Sequence, residues 1–282
     1  EMRAASVAAS LTLAALGSAG NALSIGLICS GGGLGRAAPT MALILGMCSA
    51  NLVSTALLLP VIAASNLSGA WLFGGALCRV FGYVVYVTLT GESLTLLALT
   101  LAQYLTVVHR VTAGTLRRRL PALVAGPWLA AGLIFLAPLT GVWETFAYDP
   151  RRGYCTLVSA SRLGGAGGMF LILVSTILGT LMTLVIVYCY SAILYVTHRA
   201  APPRVTWGLP SLPFLGLVAA DPCLERVSPQ FVTAILYVSW SHAATNPIIY
   251  ALSNTRINRL WTELCCRYCR RLRRGRAEDS VG

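Results

Sequence analysis

The amino-acid sequence predicts an all-α membrane protein, a bundle of seven membrane-spanning helices followed by a short amphipathic helix on the membrane surface. Three observations carry this reading. Of 282 residues, 56% are hydrophobic and only 11% charged, with a mean hydropathy of +0.74, whereas a soluble domain carries about 25% charged residues. A chain this poor in charge cannot cover itself against water, so lipid is the solvent for most of it. Seven apolar stretches reach the length of ~20 residues that crosses a bilayer, and the arginines gather at alternate ends of them.

In chain order the spans are expected at residues 5–29, 38–64, 75–108, 120–140, 167–196, 205–220 and 229–252. Each is set by apolar length and bounded by a polar or glycine-rich break. The breaks are short: GGGLGR at 31–36 is a glycine-rich turn, VTAGTLRRR at 111–119 a basic loop, and DPRRGYC at 149–155 part of a longer loop. The chain divides into a seven-span domain over 5–252 and a membrane-surface helix with a basic tail over 254–282. In that helix Ile257, Leu260, Trp261, Leu264 and Cys265 recur at helical spacing against a basic face, the pattern of a helix lying in the interface. No internal repeat and no soluble domain is visible.

Orientation follows from arginine asymmetry. With the amino end outside, the inner loops and tail hold 15 Arg against three acids, and the outer segments six Arg and five acids. The tail is then cytoplasmic, and the net charge of +12 sits mostly on the inner face. Charge placed there points to anionic lipid or an acidic protein partner, not to nucleic acid.

Local motifs narrow the class. Asn246-Pro247-Ile248-Ile249-Tyr250 ends the seventh span, Gly20-Asn21 lies in the first, and Trp128 and Pro138 lie in the fourth. Trp71-Leu72-Phe73-Gly74 precedes Cys78 at the start of the third. Together these resemble the rhodopsin-like (class A) G-protein-coupled receptors. Spacing is consistent with the resemblance: Cys78 to Gln103 is 25 residues, about 37 Å of helix at ~1.5 Å per residue, enough to cross from outer to inner interface. The resemblance implies a multi-pass plasma-membrane receptor for an extracellular ligand, with a heterotrimeric G protein or an arrestin as its partner inside. It also implies a disulfide between Cys78 and Cys155. Cys265, Cys266 and Cys269 on the surface helix are candidates for thioester acylation. Asn66-Leu67-Ser68 fits a glycosylation sequon on the outer side.

Two departures from the family pattern stand out. Where the family has an acidic-Arg-Tyr triplet, this chain has Ala102-Gln103-Tyr104. Gln cannot form the ion pair that restrains the family's resting state, though it can donate to a tyrosine such as Tyr190 or Tyr250. The resemblance therefore implies altered coupling. The second span carries Ser49-Ala50-Asn51-Leu52 in place of a buried Asp, while an acid appears in the third span as Glu92. Glu92 lies 11 residues before Gln103, and His242 one turn before Asn246. Asn21, Asn51, Glu92, His242 and Asn246 are therefore expected near mid-membrane. There Glu92 holds a cation such as Na+ or pairs with His242, and an ionisable residue at that depth is a functional candidate by default.

The sixth span is irregular. VTWGLPSLPFLGLV (205–218) holds two prolines, and the preferred register sets Ser211-Leu212-Pro213-Phe214 where the family has Trp-x-Pro-Phe. For the ligand, Val85 occupies the position of the amine-binding Asp of aminergic receptors, which argues against a biogenic amine. Val85, Tyr86, Leu89, Tyr237 and Trp240 form an apolar, aromatic pocket, with Arg151, Arg152 and Tyr154 beside Cys155 at its mouth. Such a cavity suits a lipid-like ligand with an anionic head, or a small peptide. One intramembrane acid, no His-rich metal cluster and no nucleophile constellation argue against an enzyme or a transporter. Two function classes stay open: a coupling receptor, and a non-coupling or constitutively active seven-helix protein that scavenges ligand, recruits arrestin or forms heteromers.

Overall fold

A computed structural model describes residues 2–30, 39–142, 144–150, 152–158, 170, 173–198, 234, 237, 238, 240–248 and five positions between 258 and 266. The first expected span is helix α1, Met2–Ser30. The second is α2, Pro39–Val53, continued by a π-turn at Ser54–Leu58 and α3, Leu59–Ser68. Pro60 explains the interruption. It has no N–H, and its ring crowds the carbonyl four residues earlier, so the helix widens by one residue just before it.

The third span is α4, Gly75–Val107, 33 residues or about 50 Å of helix at ~1.5 Å per residue. Its limits match the expected 75–108 almost to the residue. The fourth begins as α5, Ala113–Ile134, where the Thr112 hydroxyl accepts from the Thr115 amide. It breaks at Phe135 and resumes as α6, Leu136–Thr140, because Pro138 cannot donate to the carbonyl of residue 134. A second π-turn, Leu173–Leu178, leads into α7, Gly179–His198. Residues 240–248 of the expected seventh span are helical, as are 258, 259, 262, 263 and 266 of the surface helix. The expected sixth span lies outside the described residues. Among the described residues four helices are long and apolar enough to cross a membrane: Arg3–Ser30, Pro39–Ser68, Gly75–Val107 and Gly179–Thr197.

The all-α expectation needs one correction. Thr145–Asp149 (β1) and Tyr154–Val158 (β2) pair antiparallel, with Tyr148 opposite Cys155. Both segments are rich in aromatic and β-branched residues, which fit a pleated surface. The turn closes as the amides of Arg152 and Gly153 donate to the Asp149 carbonyl at 3.1 and 2.8 Å, with Gly153 at φ +75°.

Helix α4 is the central post. It packs on α2, α5, α7 and both strands. Between helices in lipid the hydrophobic effect is weak, so close packing at small residues has to hold them together. Gly91 receives the Trp128 ring of α5 and Gly82 receives Phe146 of β1; a methyl group at Gly91 would sit 2.7 Å from Trp128. At Gly46 on α2 an added methyl meets nothing within 4 Å. Gly91→Ala is therefore expected to destabilise the protein by about 1–3 kcal/mol, the usual cost of overpacking, while Gly46→Ala is neutral or slightly stabilising. Thermal melts of the two purified variants check this. Equal melting temperatures would contradict the packing.

Candidate functional site

The N-terminal end of α4 carries the hairpin. Cys78, in the first turn of α4, is joined to Cys155 of β2, as the resemblance implied. The tie lowers β2 into the bundle: Tyr154, Cys155, Thr156 and Leu157 are all buried. Tyr154 enters a cluster with Ala14 of α1, Ile62 of α3, Phe81 and Val85 of α4, and Trp240. Its ring lies 5.6 Å from Trp240, and Tyr237 meets Trp240 edge-on at 5.7 Å. The Tyr237 hydroxyl donates to the Ser6 carbonyl at 2.8 Å and bonds the Ser10 hydroxyl at 2.6 Å, tying the last span to α1.

The pocket residues expected from sequence do come together. Val85, Tyr86, Leu89, Tyr154, Tyr237 and Trp240 share one cluster, and the chain's own Tyr154 is seated among them. Arg152 is held nearby. Its guanidinium donates to the Thr156 hydroxyl at 3.0 Å and lies 3.6 Å from the Asp149 carboxylate. Tyr86 bonds the same Thr156 hydroxyl at 3.0 Å. Burial works against the charge on Arg152, but Tyr86, Tyr154 and Asp149 outweigh it and hold the guanidinium above its usual range. Burial pushes the Tyr154 phenol up as well. Arg152 thus stays cationic and Tyr154 neutral at physiological pH. Arg151 lies outside the described residues.

Below this cluster lies the polar core. Glu92, 3% exposed, places Oε2 2.7 Å from His242 Nε2 and accepts from the Ser54 hydroxyl on Oε1 at 3.2 Å. Of the two roles open to Glu92 in the sequence, the geometry shows the pairing with His242. Removing one partner of a buried pair strands the other, typically at a cost of about 3–5 kcal/mol. A cavity of about 20 Å³ sits between Ser54, Glu92, His242 and Trp240.

The other expected members are placed differently. Asn21 is fully buried and donates to the carbonyls of Gly17 and Ala243, at 2.8 and 2.7 Å. Asn51 is also fully buried, but neither atom of its amide has a partner among the described residues. Asn246 is half-buried and makes no described bond to Glu92. Pro247 packs against Gly20, which joins two of the sequence motifs in space. Ser54 was not foreseen. Its reach to Glu92 depends on the π-turn, and Pro60 was the signal that could have pointed there.

At the C-terminal end of α4 Ala102 is buried with Met41, Ile44, Met47 and Leu99, an apolar setting with no partner for a charge among these residues. Gln103 is half-buried and makes no hydrogen bond among the described residues. Tyr104 bonds His109 Nε2 at 3.0 Å and makes a long contact of 3.5 Å with the Tyr188 hydroxyl of α7. Tyr250 lies outside the described residues. Cys266 is exposed, and Cys48 and Cys189 are buried free thiols; Cys265 and Cys269 lie outside the described residues.

The Asn66 side chain is buried, Nδ2 donates to the Ile62 carbonyl at 3.0 Å, and its amide presses on Gly153 of the hairpin turn. A glycan on that nitrogen would have to break both contacts.

These features define a multi-pass helical membrane protein with a disulfide-tethered outer hairpin over an aromatic cluster. Residues 20–206, more than half of the chain, match the model of the 7 transmembrane receptor (rhodopsin family). The chain belongs to the rhodopsin family of seven-transmembrane receptors. It is 28% identical over 161 residues to the G-protein coupled receptor moody of Drosophila pseudoobscura pseudoobscura, covering 56% of this chain and 23% of that protein. It is 33% identical over 138 residues to galanin receptor type 3 of Mus musculus, covering 47% of this chain and 37% of that receptor. Against melanopsin of Felis catus it is 35% identical over 135 residues, 46% of this chain and 27% of melanopsin. The matched stretch thus spans well under half the length of each relative.

Asn66-Leu67-Ser68 is the only sequon in the sequence. Peptide N-glycosidase is therefore expected to leave the electrophoretic mobility of the mature protein from animal cells unchanged; a shift would contradict the burial of Asn66.

Proposed function

We propose that the chain is a cell-surface receptor that crosses the plasma membrane seven times over residues 5–252, with its amino end outside. The basic surface helix and tail over 254–282 lie against anionic lipid at the cytoplasmic face, with Cys265, Cys266 and Cys269 as acylation sites. The receptor senses an extracellular ligand and passes the signal to a heterotrimeric G protein, an arrestin or both. The observation that carries this reading is the hairpin: tethered by Cys78–Cys155, it seats Tyr154 on Trp240 directly above the Glu92–His242 pair.

The ligand is predominantly apolar with one anionic group, and it enters by displacing Tyr154. Supporting this, Val85 is 2% exposed among apolar neighbours, so no carboxylate waits there for an amine. Arg152 offers a permanent cation that, among the described residues, lies 3.6 Å from the Asp149 carboxylate. A small peptide with an acidic residue would satisfy the same chemistry. Arg151 belongs to the same mouth by its place in the sequence.

Coupling is altered at Ala102-Gln103-Tyr104. Gln103 has no ionic partner to release, so the inner end of α4 lacks the electrostatic latch of the family. The second reading, a non-coupling or constitutively active protein working by ligand scavenging, arrestin recruitment or heteromer formation, is favoured by the same residues. A recruitment panel of G proteins and arrestin without added ligand, run on wild type and Gln103→Arg at matched surface expression, separates them. Gln103→Arg is expected to change G-protein activation several-fold. Equal signalling from the two proteins would remove the altered latch.

A further inference from the structure

We infer that Glu92, His242 and Ser54 form a buried proton-binding site, in which the Glu–His pair holds one exchangeable proton and ties the stability of the bundle to pH. The three groups come from the π-turn after α2, the middle of α4 and the last described helix. Both oxygens of the Glu92 carboxylate are engaged, one by the His242 ring at 2.7 Å and the other by the Ser54 hydroxyl at 3.2 Å. The adjoining cavity of about 20 Å³ has room for about one water, which needs some 10–15 Å³. That is enough to carry a proton in and too little for a hydrated ion.

Of the described residues lining the cavity, Glu92 and His242 are titratable; the other walls, Leu58, Leu89 and Trp240 among them, are apolar apart from Ser54. Outward, Tyr154 and Tyr237 pack on Trp240, and phenols are neutral below about pH 9. The buried polar side chains of α1 and α2, Asn21, Ser24 and Asn51, carry no charge. The buried thiols of α2 and α7, Cys48 and Cys189, do not line the cavity.

With one proton the pair is carboxylate–imidazolium or carboxyl–imidazole. Both forms are net neutral and both keep the 2.7 Å bond. Losing the proton leaves a carboxylate against a neutral ring. Gaining a second leaves an imidazolium against a neutral acid. Each extreme puts one net charge into an apolar interior, which is costly. Stability therefore peaks between the two titrations and falls on either side. In the intact pair the imidazolium supplies the positive charge that Na+ would otherwise bring to Glu92.

The test does not need a ligand, so it can fail independently of the receptor reading. The full chain is purified in detergent micelles, and Tm is followed by tryptophan fluorescence from acid to alkaline pH, in NaCl and in choline chloride at equal ionic strength. Wild type is expected to pass through a maximum and to ignore the choice of cation. Glu92→Gln should lose the alkaline fall and keep the acid one, because only His242 can then become charged; His242→Gln should lose the acid fall and keep the alkaline one, and the double variant should be flat. His242→Ala, which leaves the carboxylate facing an enlarged cavity, should gain a Tm increase specific to NaCl. A two-sided maximum in both single variants like that of wild type would overturn the proposal. So would a wild-type Tm that rises with Na+, which would make the occupant a metal ion. Should the variants fail to fold, the wild-type curve still decides, because a monotonic profile or a sodium response is incompatible with a shared proton.

Discussion

A helix in lipid has no water to satisfy its polar groups, so each must find a partner inside the bundle. Helix α4 shows how the chain meets that constraint. Thr88, Ser93, Thr95 and Thr100 fold their hydroxyls back onto carbonyls one turn earlier, at 2.7 to 2.9 Å. Its single carboxylate, Glu92, meets His242 and Ser54. Its glycines accept aromatic rings from neighbours on two sides. Because α2, α5, α7 and the hairpin all pack on α4, the placement of Glu92 along it fixes where the polar centre lies relative to everything else.

That placement links the outer hairpin to the core through direct contacts. Tyr154 rests on Trp240, and Trp240 lines the cavity that Glu92 and His242 share. Moving Tyr154 outward would remove an aromatic neighbour from Trp240. The disulfide limits how far β2 can travel, since Cys155 stays bound to the first turn of α4. At the other end of α4 the residues are of another kind: Ala102 sits in apolar packing, and Tyr104 is engaged by His109 and Tyr188. Among the described residues no ion pair lies at the C-terminal end of α4, whereas Glu92 and His242 are hydrogen-bonded at its middle.

Much of this was legible in the sequence because the bilayer imposes a simple rule. Apolar length placed α4 at 75–108 where the helix is Gly75–Val107, and helical spacing from Gln103 and Asn246 brought Glu92 and His242 to one level. Cys78 and Cys155 were paired by family resemblance. What the sequence did not reveal depends on contacts between distant segments. The hairpin was hidden because β1 and β2 are five residues each and sit inside an otherwise loop-like stretch. Ser54 was hidden because only the π-turn before Pro60 aims it at Glu92. The burial of Asn66 was hidden because a sequon is three residues long and says nothing of Gly153 lying across it.

The account turns on an odd number of crossings, with the hairpin outside and the inner end of α4 in the cytosol. Epitope tags at the two ends of the chain, stained in intact and in permeabilised cells, test this most directly. The amino-terminal tag should be reached in intact cells and the carboxyl-terminal tag only after permeabilisation. Both tags reached from the same side would mean an even number of crossings and would contradict the account.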